Sequence, residues 1–198
     1  MYKSLLLIIL AFLTACSSVG NNSVSEPTEP VSFEAGAFVD QDLSLVHAEN
    51  KKSIKLGMSR KEVEKLLGEP TESIDFMKVY IYSGIKVHYA EDIVDGMMID
   101  DNTPNPASFQ TPRGLQYGDS LEQIESLYGE PQDKTINGQT TTLVYLIEKR
   151  GDQWEPIRNW DEAQNKEKAY SISINVDAEA GMFFYMAANY QFSVNPTG

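Results

Sequence analysis

Cysteine is almost missing from this chain of 198 residues: Cys16 is the only one. No intramolecular disulfide can form, and no cluster of thiolates can hold a metal. Histidine is nearly as scarce. His47 and His88 stand 41 positions apart, without metal-ligand spacing, and both read as solvent-facing side chains. No HExxH, GxSxG, CxxC or phosphate-cradling glycine loop occurs. Asn175, Asp177 and Glu179 alternate as in a calcium loop, but the glycine at position six and the acid at twelve are wanting, so "DAEAG" at 177–181 reads as a hairpin turn. Positive charge is also low, 16 basic against 29 acidic side chains for a net −13. That balance argues against nucleic acid as a partner and against a polybasic grip on anionic lipid. Finally, the longest apolar run is nine residues, Leu5 to Leu13. A membrane-spanning helix needs about 20.

What the N-terminus does have is one lysine, that apolar run, and then Thr14, Ala15 and Cys16. This is the layout of a secretory signal, residues 1–15. "LTAC" matches the lipobox of bacterial lipoproteins, in which the cysteine is acylated and becomes the first mature residue; an ordinary signal with an incidental cysteine is the alternative. Acyl chains contribute about 0.8 kcal/mol per buried CH2, and two or more give a stable anchor. The expected membrane contact is therefore lipid on Cys16. Ser17, in place of an aspartate, points to the outer membrane of a diderm; in a monoderm the outer leaflet of the plasma membrane is expected. Residues 16–53 read as the lipidated cysteine and a disordered tether. The stretch 17–32 has no basic or aromatic residue, while 33–53 leaves room for a short helix around Leu43, Val46 and His47.

Beyond the tether one phrase is written twice. "GMSRKEVEKLLGEP" at 57–70 returns 61 positions later as "GDSLEQIESLYGEP" at 118–131, with seven of fourteen positions identical. Ser59 with Glu62, and Ser120 with Gln123, have the spacing of a capping box. Val63, Leu66 and Leu67 fall on one helical face, as do Ile124, Leu127 and Tyr128. Gly68 and Gly129 are placed to end the helix in the left-handed conformation, and Pro70 and Pro131 to prevent its resumption. Each copy predicts a two-turn amphipathic helix, too short to be stable without a sheet beneath it.

Alternating segments supply the sheet. "DFMKVYIYSG", "IKVHYAED" and "IVDGMMID" follow the first helix; "TTTLVYLIE", "AYSISINV" and "GMFFYMAANYQF" follow the second. The fold class read from this is α+β: two tandem helix-plus-antiparallel-meander units, 54–103 and 104–192, with short helices on one face of a sheet. The second carries an insertion at 149–168. Units of about fifty residues bury too little alone, so the two are expected to share a sheet or an interface. Val79 and Ile81 are assigned to the inner face, which turns Tyr80 and Tyr82 outward. Tyr145, Phe183 and Tyr185 are outward candidates in the second unit. With Trp154, Arg158 and Trp160 of the insertion they make an aromatic and arginine set of the kind enriched in interface hot spots. Packing between units, and tryptophans folded back on their own sheet, are the alternatives.

The lipobox followed by "LGMSRKEVEKLLGEP" and a three-stranded meander resembles the SmpA/OmlA (BamE-like) lipoprotein family. The tandem arrangement resembles the β-lactamase inhibitory protein fold. The resemblance spans roughly 54–192 and implies a non-catalytic binding protein without cofactor or metal. The expected function is a membrane-anchored protein-binding scaffold in envelope assembly or maintenance, its partner another envelope protein. The alternatives are an inhibitor of a secreted enzyme, such as a β-lactamase or cell-wall hydrolase, and a hydrolase built on a carboxylate pair.

Overall fold

The structure is a computed structural model and describes residues 32–195; Cys16 and the signal lie outside the described residues. A 3-10 turn at Asp40–Leu43 leads into β1 (Ser44–His47) and β2 (Ser53–Lys55). The first unit follows: α1 (Arg60–Leu67), β3 (Glu72–Ile74), β4 (Val79–Tyr82), β5 (Ile85–Ala90) and β6 (Ile93–Asp100). β7 (Phe109–Gln110) lies in the connection. The second unit comprises α2 (Leu121–Tyr128), β8 (Asp133–Asn137), β9 (Thr140–Arg150), β10 (Gln153–Pro156), β11 (Ala169–Asp177) and β12 (Gly181–Asn189). The chain then turns into α3 (Tyr190–Val194). The fold is α+β, with short strands that the alternation does not suggest: β3 in the first unit, and β8 and β10 in the second.

The helix ends follow the local chemistry. Ser59 and Glu62 form the reciprocal capping box on α1. On α2 the Ser120 hydroxyl accepts from the Gln123 N–H at 3.3 Å, and among the described residues only that half of the box forms. Gly68 and Gly129 do stop the helices with φ of 85° and 77°, but their ψ values of −171° and −160° are extended rather than left-handed helical. That region is essentially glycine's alone.

The two units join into one antiparallel sheet, β8-β9-β11-β12-β6-β5-β4-β3, with β10 sharing the outer edge of β9. Equivalent bonds hold each helix start to the last strand of its unit. The Gly57 N–H donates to the Val94 carbonyl and the Val94 N–H to the Met58 carbonyl, both at 2.8 Å. The Gly118 N–H donates to Met182 and the Met182 N–H to Asp119, again at 2.8 Å. Val94 and Met182 are 88 residues apart, as are Met98 and Met186. Met98 and Met186 are also directly paired where β6 meets β12. The residue that corresponds to Met98 is therefore the one opposite it, and a local two-fold axis passes between them.

One face of this sheet carries both helices. Val63 of α1 and Ile124 of α2 are fully buried there, against Ile85, Val87, Met97 and Ile99 from the first unit and Leu143, Tyr145, Ile172, Ile174 and Tyr185 from the second. Tyr80 and Tyr82 lie on this same covered face, contrary to the expectation that they point outward. The two-residue turn at Ser83-Gly84 pairs Tyr82 with Ile85 and Tyr80 with Val87, and paired residues share a face. Val79 and Ile81 take the opposite face.

The small sheet β2-β1-β7 adds to the covered side. The expected tether thus ends before residue 53, and Ser44–His47 is strand rather than helix: Phe38, Leu43 and Leu45 are buried in the main core. Arg113 holds this segment. Its guanidinium reaches both Asp42 carboxylate oxygens, at 2.6 and 2.8 Å, and the carbonyls of Glu34, Ala37 and Leu127. All five donors of the arginine fork are used. Phe33, Phe38 and Tyr128 rings stand within 5.4 Å of its central carbon.

Both side chains of the Asp42–Arg113 pair are 0% exposed. Removing one partner leaves an uncompensated buried charge, so Arg113→Ala is expected to lower unfolding stability by about 3–5 kcal/mol. Lys134→Ala, which breaks the half-exposed pair with Glu125, is expected to change it by less than about 1 kcal/mol. Urea unfolding of the two variants checks the contrast.

Candidate binding surface

The sheet face turned away from α1 and α2 is the candidate surface. Its residues come from alternation along each strand: Ile81, Lys86, Met98, Met186, Ser173 and Val144 form one row across six strands. Asp100, Phe184, Asn175 and Thr142 form the next. Met98, Met186, Phe184, Val144, Ser173 and Asn175 are partly exposed. Lys86 and Asp100 neutralise each other at 2.7 Å, and the Thr142 hydroxyl donates to the Asn175 amide oxygen at 2.9 Å. The centre of the face is thus apolar, rimmed by satisfied polar groups.

A third row, Val79, His88, Gly96, Ala188, Ser171 and Leu146, is closed by α3 and the insertion. The predicted strand "GMFFYMAANYQF" therefore stops at Asn189, whose side chain caps α3 by accepting from the Phe192 N–H at 2.9 Å. Phe192 packs over Gly96, where a Cβ would meet its ring at 2.8 Å. His88 lies beneath that ring, centroids 4.4 Å apart, with Nδ1 bonded to the Asp95 carboxylate. His88 is buried, which corrects its reading as a solvent-facing residue: it is on the face opposite Val87 as expected, but a C-terminal helix roofs it. His47 is partly exposed and packs edge-on against Phe109.

The insertion is folded down on both sides of the sheet. Trp154 donates from Nε1 to the Asp40 carboxylate at 2.7 Å, meets Tyr170 edge-on at 5.5 Å, and joins the main core. Lys149 donates to the same carboxylate at 2.6 Å and is the main cause of its lowered pKa. Trp160 packs edge-on against Tyr190 at 5.1 Å, beside Leu146, Ile157 and Ala169 on the other face. Of Trp154, Arg158 and Trp160, Arg158 is the exposed one, its side chain 89% accessible, and the two tryptophans are half-buried.

Of the expected binding residues, then, Tyr82, Tyr145 and Tyr185 are core. Burial pushes all three phenols up in pKa. The Tyr82 and Tyr89 hydroxyls bond each other at 3.0 Å, and the Tyr145 hydroxyl donates to the Gly129 carbonyl at 3.1 Å. Tyr80 is half-buried beneath the Arg60 guanidinium, 4.1 Å above its ring. Phe183 sits at a bulge, since Val176 pairs with Met182 and Asn175 with Phe184. The structure does not bring the predicted aromatic set together. Met98, Met186 and Val144, which line the open face, were missed: alternation counted through the Glu91-Asp92 turn puts Met98 on the covered face, and the bulge at Asp95, where Tyr89 pairs with Val94 but His88 with Gly96, moves it to the open one. Among the described residues no group of three or more His, Cys, Asp or Glu side chains stands ready to hold a metal.

Glu148 anchors the insertion from beneath. It is 1% exposed and accepts from Arg150 Nε at 2.7 Å and from the Asn165 N–H. Burial alone would raise its pKa, but these donors outweigh burial and hold the carboxyl below its ordinary 4.5. A depressed folded value adds stability above about pH 4.5 that is lost as pH falls through that folded value. Glu148→Gln is therefore expected to lose about 1–3 kcal/mol at pH 7 and to show a shallower acid limb in a stability-versus-pH series. Compared with protein-family models, curated proteins and solved structures, the chain matches none of them.

Proposed function

We propose that this chain is a lipid-anchored envelope protein of the BamE-like SmpA/OmlA type, a non-enzymatic scaffold that holds another envelope protein on its open sheet face. One observation carries the reading: two equivalent units are fused into a single sheet whose face away from α1 and α2 keeps, beside α3, a partly exposed apolar centre at Met98, Met186, Phe184 and Val144. Methionine is flexible and polarisable, and suits a surface that must fit a partner's side chains. The aromatic residues expected to bind are instead spent on the core. The lipobox cysteine supports anchoring, and the low positive charge leaves acyl chains as the membrane contact. The tandem arrangement also favours a second reading, an inhibitor of a secreted enzyme; soluble protein assayed against β-lactamases and cell-wall hydrolases tests it.

The main reading is tested in a diderm host. A photo-crosslinking residue at Phe184 is expected to give an adduct with an envelope protein, and the same residue at Lys61, exposed on α1, is expected to give none. Cys16→Ser is expected to abolish acylation and release the chain from membranes. Equal adducts from both positions, or a Cys16→Ser chain that stays membrane-bound, contradict the reading.

A further inference from the structure

The central row of the open face runs further than its apolar middle. In register across eight strands it reads Glu72, Ile81, Lys86, Met98, Met186, Ser173, Val144, Asp133. About the axis between the methionines it has like ends: an aliphatic residue, Ile81 or Val144, and then an exposed acid, Glu72 or Asp133. The two edge positions are structurally equivalent. The Thr71 N–H donates to the Ile81 carbonyl at 2.8 Å and the Gln132 N–H to the Val144 carbonyl at 3.0 Å. Lys86 is taken by Asp100. Among the described residues Glu72 and Asp133 have no ion-pair partner. Strands about 4.8 Å apart put these two carboxylates about 34 Å from each other along the sheet.

We infer that the open face docks a protein segment that is apolar in its middle and basic at both ends. The inference rests on the scaffold reading above and names the chemistry of the partner. Charge complementarity selects this occupant over two others. A second copy of the chain, laid face to face with its central row along this one, would set acid against acid at both ends, because the row has like ends. The chain's own residues 17–31 contain Glu26 and Glu29 and no basic residue, so they offer no cation to either end. A helix of about 22 residues spans the same length.

The test uses the lipidated full chain in phosphatidylcholine nanodiscs. Two synthetic helical peptides serve as probes, each with a leucine-alanine stripe; one carries lysine pairs at its ends and the other glutamate pairs. The lysine-ended peptide is expected to bind, more weakly as salt rises, and the glutamate-ended one to bind at least about tenfold more weakly. Glu72→Lys with Asp133→Lys is expected to invert that preference, and Met98→Asp to abolish binding of both. Both acids are exposed and Met98 partly so, and unchanged urea midpoints confirm that the variants fold. If Met98→Asp abolishes binding but the double charge reversal leaves the preference unaltered, the inference about partner charge is overturned while the face remains the site. If Met98→Asp leaves binding intact, or neither peptide binds, both the inference and the choice of face are overturned. Self-association of the chain that Met98→Asp disrupts would overturn the inference in favour of a second copy.

Discussion

The pairing of β6 with β12 is the constraint on which the rest of the molecule depends. Each unit has an eight-residue helix and a few strands, and such a unit buries too little surface to be secure alone. Joined edge to edge, the last strand of one becomes the continuation of the other. Both lose an open edge that would otherwise invite pairing with another chain. Ile99 against Tyr185 and Met97 against Ala187 extend the core across the seam on the helix side. On the opposite side the same register sets Met98 against Met186. One act of strand pairing thus produces both the shared core and the shared surface.

Local chemistry made much of this legible in the sequence. Caps, helix stops, turns and period-two alternation act over a few residues, so they survive reading one segment at a time. That is why both helices and the main strands were evident, and the doubling with them. Relations between segments were harder to read. Tyr80 and Tyr82 were turned outward because Val79 and Ile81 looked the more apolar pair. Tyrosine is amphipathic, and its hydroxyl can find a partner inside, as Tyr82 does in Tyr89. The register of the hairpin, not hydrophobicity, decides the face.

The segment from residue 33 to 53 was opaque for a different reason. Its order depends on Arg113, which lies 71 residues beyond Asp42. No periodicity or composition reports such a contact. Glu148 is a similar case. An acid within an apolar strand is a visible anomaly, but its partners, Arg150 and the Asn165 N–H, are fixed only once the insertion folds back. The tryptophans of that insertion are used as anchors, one on each side of the sheet, and the proposed recognition therefore falls to the less conspicuous Met98, Met186 and Phe184.

If the seam truly makes one body of the two units, their protection against exchange must be shared. Native-state hydrogen exchange, read amide by amide as denaturant rises, tests this most directly. The account predicts that the ladder-bonded amides of β5 and β6 and those of β11 and β12 converge on one opening free energy, that of global unfolding. A first unit whose amides exchange through a cheaper opening, while the second stays protected, would contradict it.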